Sequence, residues 1–550
     1  MWILNLLESG ILSYASINFI AFVALTVLAY FVLPNKKYKW VVLLISSYVF
    51  YLFAGYKYVA FIMFTTVSTY AIARWIDRIS QQSKETLQIN KKEWSRETKK
   101  SFKAKIKRNK RLAMALCLIL NFGILAFLKY FNFFAGSLND VFGTFGMSFS
   151  IPTLKLFLPL GISFYTFQSM GYIVDVYREK FPAEKNIAKF ALFVSFFPQI
   201  IQGPISFYNQ LAHQLYEPHK FDFTRFKYGS ELILWGFFKK LVIADRAVVA
   251  INTVISDYDS YNGTVLTFTV LLYAVQLYAD FSGGIDISRG IAQILGIDMV
   301  ENFRRPYFSK SINEYWRRWH ITLGAWMKEY VFYPLSLSKA FLNTSKKMKA
   351  TKFGVTKAGA HISKVLPTAF ASLIVFLIVG VWHGASWKYV AFGLWNGGVI
   401  MLSILMKPLF DGLLKKFHIR PNCLFWRLFQ ILRTFIIVCI GYVFDIAPSF
   451  RQSVWTFKKI VVNQSFGSIL AQIYALGINQ FNLIVLLISC LVLLIVSIYQ
   501  EKKGMQIRRA LDKKNFWIRY GAVAALCVVI LVFGLYSPDN NTATFVYAQF

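Results

Sequence analysis

The chain alternates between long apolar runs and short polar breaks, and the lengths of the runs set the first expectation. A hydrocarbon core about 30 Å thick takes roughly 20 apolar residues per helix, and backbone facing lipid must satisfy its own hydrogen bonds. Runs of that kind lie near 11–33, 40–55, 57–76, 112–134, 156–175, 188–207, 229–252, 264–282, 366–382, 388–407, 424–445, 480–499 and 519–536. They predict an all-α integral membrane protein, polytopic, with about 11–13 membrane helices. Two regions, 156–207 and 282–337, are interrupted by Pro, Gly and charged residues although they are otherwise rich in aromatic side chains. Such breaks are tolerated at membrane depth only where the backbone is buried in protein or lines a wet cavity. They predict broken, re-entrant and interfacial helices, and they mark where chemistry is to be sought.

Composition agrees with lipid as the main solvent. Of 550 residues, 56% are hydrophobic and 16% charged, whereas soluble domains average about a quarter charged. The formal net charge of +35 would suggest nucleic acid in a soluble chain. Here the basic residues gather in short loops between apolar runs, as cytoplasmic loops do against anionic lipid. No binding module accompanies the charge, so no nucleic-acid partner is expected.

The same charges orient the chain. Lys36, Lys37 and Lys39 form one basic loop, and about a dozen basic residues lie between Lys84 and Arg111. Both loops are expected to be cytoplasmic, which puts the start of the chain outside. Segments 135–152, 257–263 and 537–550 carry no Lys or Arg, as external segments should; basic loops recur at 301–318, 339–364, 407–420 and 501–519. The segment 77–111 is a long charged insertion with helical patterning, expected to lie on the membrane surface. The first apolar run lacks a basic leader and a small-residue cleavage site, so it is expected to be a retained span. Five scattered cysteines, Cys117, Cys423, Cys439, Cys490 and Cys527, give neither a disulfide framework nor metal-ligand spacing.

Two of the six histidines sit in unusual surroundings. His383 follows an apolar run and is flanked by Trp382, Gly384 and Trp387. An imidazole near membrane depth is costly unless it has partners or water, so it is either functional or a hydrogen-bonded interfacial residue. His320 lies in Asn-Glu-Tyr-Trp-Arg-Arg-Trp-His-Ile-Thr-Leu-Gly-Ala-Trp, residues 313–326. A helix there stacks Trp316 on His320 at i, i+4 and brings Arg317 alongside at i, i+3; the plainer reading is an amphipathic interfacial helix with tryptophans at headgroup depth. Asp280 stands at a Gly-rich break, and Glu231 opens the run that ends near Lys239 and Lys240. Asp280 either orients an imidazole or polar passage, or pairs with a basic side chain and holds helices together, the second being the better supported. His213 and His219 sit in a polar loop at a spacing that fits no standard zinc pattern. There is no nucleophile elbow, P-loop, dinucleotide fingerprint or His-Glu-Xaa-Xaa-His, and no metal site is expected.

Several blocks, in order, resemble the membrane-bound O-acyltransferase family. They are Pro-Leu-Gly-Ile-Ser-Phe-Tyr-Thr-Phe-Gln at 159–168, Phe-Pro-Gln-Ile-Ile-Gln-Gly-Pro-Ile at 197–205 and Tyr-Ala-Asp-Phe-Ser-Gly-Gly at 278–284. Asn-Phe-Arg-Arg-Pro-Tyr follows at 302–307, then Trp-Arg-Arg-Trp-His with Tyr-Val-Phe-Tyr-Pro-Leu at 330–335, and Val-Trp-His-Gly-Ala-Ser-Trp at 381–387. The terminal Phe-Val-Tyr-Ala-Gln-Phe is similar to the aromatic tail of the bacterial branch that acetylates alginate and other envelope polysaccharides.

The resemblance implies a helical fold around a central tunnel, with His383 the catalytic histidine and His320 its upstream polar partner. It implies Trp316, Arg317, Trp319, Asp280, Trp382, Gly384 and Asn396 as tunnel-lining or substrate-facing residues. Asn396 stands where relatives often carry a further histidine, which puts a third imidazole in doubt. The expected divisions are N-terminal membrane helices over 1–76, the basic cytoplasmic insertion over 77–111, the catalytic core over 112–420 and C-terminal membrane helices over 421–550. The implied reaction passes an acetyl group from a cytoplasmic thioester, acetyl-CoA, towards hydroxyls of an extracytoplasmic polysaccharide, directly or through a separate extracytoplasmic transferase. No bound cofactor is expected, and the setting is a bacterial plasma membrane. A rival reading within the family delivers D-alanine from a carrier-protein thioester towards teichoic acid. A transporter or flippase of an envelope precursor is the alternative from another class, against which stands the absence of visible duplicated halves.

Overall fold

The computed structural model describes residues 16–147, 149–200 and 202–536. The described residues form helices, turns and connecting segments without a strand. Nine helices among them are long and apolar enough to cross a membrane, from Lys36–Ala54 and Tyr56–Ile89 to Gln480–Lys503 and Phe516–Phe533, and two shorter apolar helices are Ile17–Val32 and Ile187–Ile200. The protein is a multi-pass membrane protein. Each expected run contains helix, with residues 11–15 of the first outside the described residues. Three runs are helices broken or shortened where Pro, Gly and charge interrupt them: Ile162–Tyr177, Ile187–Ser195 with Phe197–Ile200, and Phe223–Phe237 continuing through a π-helical stretch, Phe238–Ala244, into Asp245–Ser256. The terminal aromatic block and the tail from 537 lie outside the described residues.

The chain divides into two compact units. In the first, residues up to 230 with 288–300, the helix Ile162–Tyr177 is buried almost all round. Gln168, at its middle, is held by protein partners rather than solvated. The Gln168 amide donates to the Phe193 carbonyl at 2.9 Å, and Gln199 donates to the Gln168 side-chain oxygen at 3.2 Å. These bonds join two of the sequence blocks, 159–168 and 197–205, and a buried amide with its partners in place costs little where an unpaired one costs about 1–3 kcal/mol.

The segment 77–111 is not a separate surface element. It is the far end of Val59–Ile89 and the near end of Arg96–Thr144, joined by a turn at 90–95. Ser95 caps the second helix by accepting from the Thr98 N–H at 3.1 Å, with Glu97 in the first turn. At about 1.5 Å per residue, good helix formers carry both helices well past the apolar stretch. Glu179 ties the two arms together, its carboxylate taking Lys110 at 2.6 Å and Lys84 at 2.9 Å. Those two cations hold its pKa down at about 2.

In the second unit, residues 231–287 with 301 onwards, the helices Lys357–His383 and Trp387–Leu405 form a hairpin. Their axes approach closely because Gly380 and Gly393 face the opposing backbone. A Cβ on Gly380 would lie 2.3 Å from the Tyr389 carbonyl oxygen, and one on Gly393 would lie 2.5 Å from that of Phe376. Small residues are the usual way for helices to close on each other in lipid, where packing rather than the hydrophobic effect drives association. The stretch 301–337 is broken into short pieces, Ile312–Arg318, Ile321–Met327, a π-helical turn Lys328–Phe332 and Tyr333–Ser336. Ser311 caps the first piece by accepting from the Glu314 N–H at 3.2 Å, and Glu314 in turn accepts from the Lys310 N–H at 2.9 Å.

Candidate active site

Both histidines singled out from the sequence lie in the second unit, buried to 2% and 7% exposure, and they flank one tryptophan ring. The Trp382 ring centroid is 6.0 Å from that of His320 and 5.1 Å from that of His383. His383 ends the helix Lys357–His383, and its ring also meets Phe392 at 5.2 Å and stacks on Tyr389 at 6.3 Å. Gly384 makes that last contact possible: a Cβ there would lie 2.2 Å from the Tyr389 ring.

His320 arrives differently. The helix Ile312–Arg318 ends two residues before it, and His320 takes the left-handed conformation with φ 45° and ψ 53° at the start of Ile321–Met327. A non-glycine residue held there stores strain of about 1–3 kcal/mol unless its surroundings over-determine it. Asn302, fully buried, supplies that support. Its carbonyl accepts the Ile321 N–H at 3.0 Å. Its side-chain oxygen accepts from the Thr322 N–H and from the Thr322 hydroxyl, each at 2.9 Å. Because a backbone N–H is always a donor, the Asn302 oxygen is the atom that faces Thr322; that oxygen also lies 3.3 Å from His320 Nδ1, but Thr322 already fills its two lone pairs, so we assign the amide nitrogen, 3.2 Å away, as the donor to Nδ1. An Nδ1 that accepts leaves the proton on Nε2, so His320 presents an N–H at its other edge. Its ring is buried against Phe281 and Trp382, surroundings in which a neutral imidazole is easier to hold than a charged one.

The other expected residues divide. The i, i+4 register from Trp316 does not extend to His320, because the helix stops at Arg318; the Trp316 indole N–H donates instead to Asn396 Oδ1 at 3.2 Å. Asn396 is buried and donates to the Phe392 carbonyl at 2.9 Å, so both residues brace the ring that packs on His383. Trp319 packs in an aromatic cluster with Phe281, Phe303, Tyr307 and Tyr315. Arg317 is exposed, one residue round the helix from Trp316. Asp280 is buried in an ion pair with Lys240 at 2.6 Å, and Lys240 also reaches Asp245 at 2.8 Å; next to them Lys239 pairs with Asp286 at 2.7 Å. Asp280 therefore fastens the π-helical stretch to the helix Gly263–Ile294, and its neighbour Phe281 is the residue that reaches the site, edge-on to His320 at 4.9 Å.

Sequence reasoning missed Asn302, Phe281, Tyr389 and Phe392. Asn302 and Phe281 stood in quoted blocks, and the only signal for Asn302 was a polar residue in an otherwise aromatic and basic stretch. Tyr442 was also missed; its hydroxyl meets those of Tyr315 at 2.7 Å and Tyr307 at 3.1 Å behind Trp319. Among the described residues no group of three or more His, Cys, Asp or Glu side chains is placed to hold a metal ion.

A multi-pass helical chain with two imidazoles buried against one indole defines a membrane protein with a polar site in its interior. Residues 116–353 match the model of MBOAT, the membrane-bound O-acyltransferase family, and the chain belongs to that family. It is similar to the probable alginate O-acetylase of Pseudomonas aeruginosa, 32% identical over 372 residues, which is 67% of this chain and 62% of that one. The match thus spans a little under two thirds of that relative. The peptidoglycan O-acetyltransferase of Helicobacter pylori is 29% identical over 496 residues, 84% of this chain and 81% of the relative. The teichoic acid D-alanyltransferase of Bacillus subtilis is 29% identical over 308 residues, 54% and 71% respectively.

Proposed function

We propose that the protein is an O-acyltransferase of a bacterial plasma membrane, passing an acetyl group from cytoplasmic acetyl-CoA towards hydroxyls of an extracytoplasmic polysaccharide or of a partner transferase. The observation that carries this reading is the pair of buried imidazoles that both pack against Trp382, one of them in hydrogen-bond contact with the Asn302 amide. A thioester inside and an alcohol outside need one meeting point within the membrane. A site on the way through serves both without carrying either substrate fully across.

His383 acts as general base. Its neutral ring takes the proton of the acceptor hydroxyl as the oxygen attacks the thioester carbonyl, a task suited to a group with an ordinary pKa of about 6.5 and worth about 10²–10⁴ in rate. The carbon–oxygen bond forms, the carbonyl electrons move onto the oxygen, and His320 Nε2–H steadies that oxyanion. Collapse breaks the carbon–sulfur bond, and the proton on His383 leaves with the thiolate. His320 suits its part because a neutral donor already aimed needs no reorganisation. Trp316 and Asn396 position His383 through Phe392, while Asp280 supports the helices. The alginate and peptidoglycan relatives support acetyl transfer.

The test uses inverted membrane vesicles given labelled acetyl-CoA. Label is expected in ester linkage on envelope polymer or a partner protein, and to vanish in His383→Ala with normal insertion. Near-normal transfer in that variant would overturn the assignment. The D-alanyltransferase relative supports a second reading, D-alanine from a carrier-protein thioester; label from the aminoacyl carrier and none from acetyl-CoA would select it. Substrate movement without acyl exchange would select a transporter instead.

A further inference from the structure

Segment 187–207 enters the first unit and returns to the side it came from. Both flanks are tied near the C-terminal end of the helix Ile162–Tyr177. There the Glu184 N–H donates to the Tyr172 hydroxyl and the Tyr208 hydroxyl to the Glu184 carboxylate, each at 2.8 Å, while the Tyr216 hydroxyl donates to the Lys189 carbonyl at 2.9 Å. The tip of the segment lies at the other end of that helix: a Cβ on Gly161, just before its first residue, would be 2.6 Å from the Ile200 carbonyl oxygen. The helix has 16 residues, about 24 Å at a rise of 1.5 Å per residue. At the tip the chain turns on itself, with the Gly203 N–H donating to the Gln199 carbonyl at 2.9 Å.

Backbone that turns back at membrane depth is tolerated where protein buries it or where it lines a wet cavity. The side chains of the tip distinguish the two. Gln202 is 0% exposed, and neither its Oε1 nor its Nε2 has a partner among the protein's own atoms. The same holds for the buried Gln199 Oε1 and Ser195 Oγ. Gln199 is fixed in place, because its Nε2 already donates to Gln168. On the helix that Gln168 belongs to, Ser163 and Ser169 are likewise buried and unpaired. A helical serine ordinarily returns its hydroxyl to the carbonyl four residues back, as Ser47, Ser80 and Ser363 do; Ser169 and Ser195 do not.

Each such atom bears its whole desolvation cost unless something meets it. The six atoms are neutral and include donors as well as acceptors, so their complement is a small neutral molecule that both donates and accepts. A buried water makes about three hydrogen bonds to groups of this kind.

We propose that the re-entrant tip is a binding site for ordered water, about two molecules held by Gln202, Gln199 and Ser195 with Ser163 and Ser169 of the neighbouring helix. Water thereby completes the two sequence blocks, 159–168 and 197–205, that the histidine site leaves unused. This does not depend on the transferase reading.

The experiment is radiolytic hydroxyl-radical footprinting of the full chain in nanodiscs, read by mass spectrometry, in which radicals born from bound water mark the side chains beside it even when these are buried. Phe196 and Pro198, both buried at the tip, are the reporters. Phe190, buried among the rings of Tyr70, Tyr172 and Phe193, is the dry control. The reporters are expected to be marked several-fold faster than Phe190. In Gln202→Leu the marking is expected to fall by about half, since two of the four unpaired atoms on the tip are gone. The unfolding temperature of that variant is expected to drop, because leucine cannot hold the water; in a dry pocket the same change would remove an unpaired amide and raise it. Should Gln202→Leu not insert, Ser195→Ala reads the same loss of marking. Reporters marked no faster than Phe190 would overturn the proposal, as would a raised unfolding temperature in Gln202→Leu or marking untouched by both substitutions.

Discussion

The sharpest consequence of the site's geometry falls on Asn302 rather than on either histidine. Asn302→Ala removes the acceptor of the Thr322 N–H and hydroxyl and the donor to His320 Nδ1, all within a fully buried pocket. The Thr322 N–H, left without that partner, costs about 1–3 kcal/mol, and the hydroxyl adds about 1 kcal/mol more. The left-handed turn at His320 also loses its brace. On the proposed mechanism nothing then holds the Nε2–H tautomer, and losing one oxyanion donor lowers turnover about 10²–10³-fold. Thr322→Val is the control: it deletes one of the same hydrogen bonds, keeps the backbone one, and leaves the bond from Asn302 to His320 in place. Both variants are to be assayed as labelled acetyl reaching envelope polymer in membrane vesicles, with thermal unfolding in detergent read in parallel. The expected outcome is that Asn302→Ala loses turnover about a hundredfold or more, whereas Thr322→Val stays within about threefold of the parent despite some loss of stability. Equal rate losses in the two variants would refute the reasoning, because a shared structural defect would then explain both.

Other consequences follow from the packing. Gly384→Ala drives a Cβ to 2.2 Å from the Tyr389 ring, so it is expected to cost about 1–3 kcal/mol, seen as a lower unfolding temperature, and to recover part of that loss when combined with Tyr389→Leu. Lys240→Met strands Asp245 and Asp280 in the interior at a cost of about 3–5 kcal/mol; little monodisperse protein is expected by size-exclusion chromatography, and more when Asp245→Asn and Asp280→Asn are added. The Glu179 carboxyl is held at about 2 against an ordinary value of 4.5, so its contribution to stability is full above about pH 4.5 and fades as pH falls towards 2. Glu179→Gln is expected to flatten that acid limb in pH-dependent unfolding, by a small amount because the side chain is 41% exposed.

The membrane helices were legible because burial in lipid imposes one rule on every residue of a run, and length then decides. The helices Lys39–Ala54 and Leu424–Ile446 fall within a residue or two of the apolar runs that announce them. The rule fails where partners replace lipid. The run at 156–175 is helical from Ile162, since the polar Gln168 finds its partner in protein and the Gly-containing turn before it sets the start. The basic stretch 77–111 misled for a related reason: charge marks where a helix leaves the bilayer, but it does not end the helix. Ala, Lys, Arg, Gln and Glu are all good helix formers, and nothing before the turn at 90–95 stops Val59–Ile89.

The site was half legible, and the missing half explains why helical periodicity alone could not assemble it. His383 could be found because it sits at the end of an apolar helix, where an imidazole needs a reason to be. His320 could be found as a residue but not as a geometry. Had Ile312–Arg318 continued, Trp316 and His320 would share a helix face, and the imidazole would follow the indole, which reaches Asn396. Instead the chain turns left-handed at His320 and gives its Nδ1 to Asn302, eighteen residues earlier, with its ring against Phe281 and Trp382 from two other helices. A break in a helix costs hydrogen bonds and strain, and it persists here because Asn302 takes up the backbone and side-chain groups that the break releases. The residue that lets the break exist is therefore also the one that meets His320 Nδ1, so the local rule that failed and the geometry of the candidate site have the same cause.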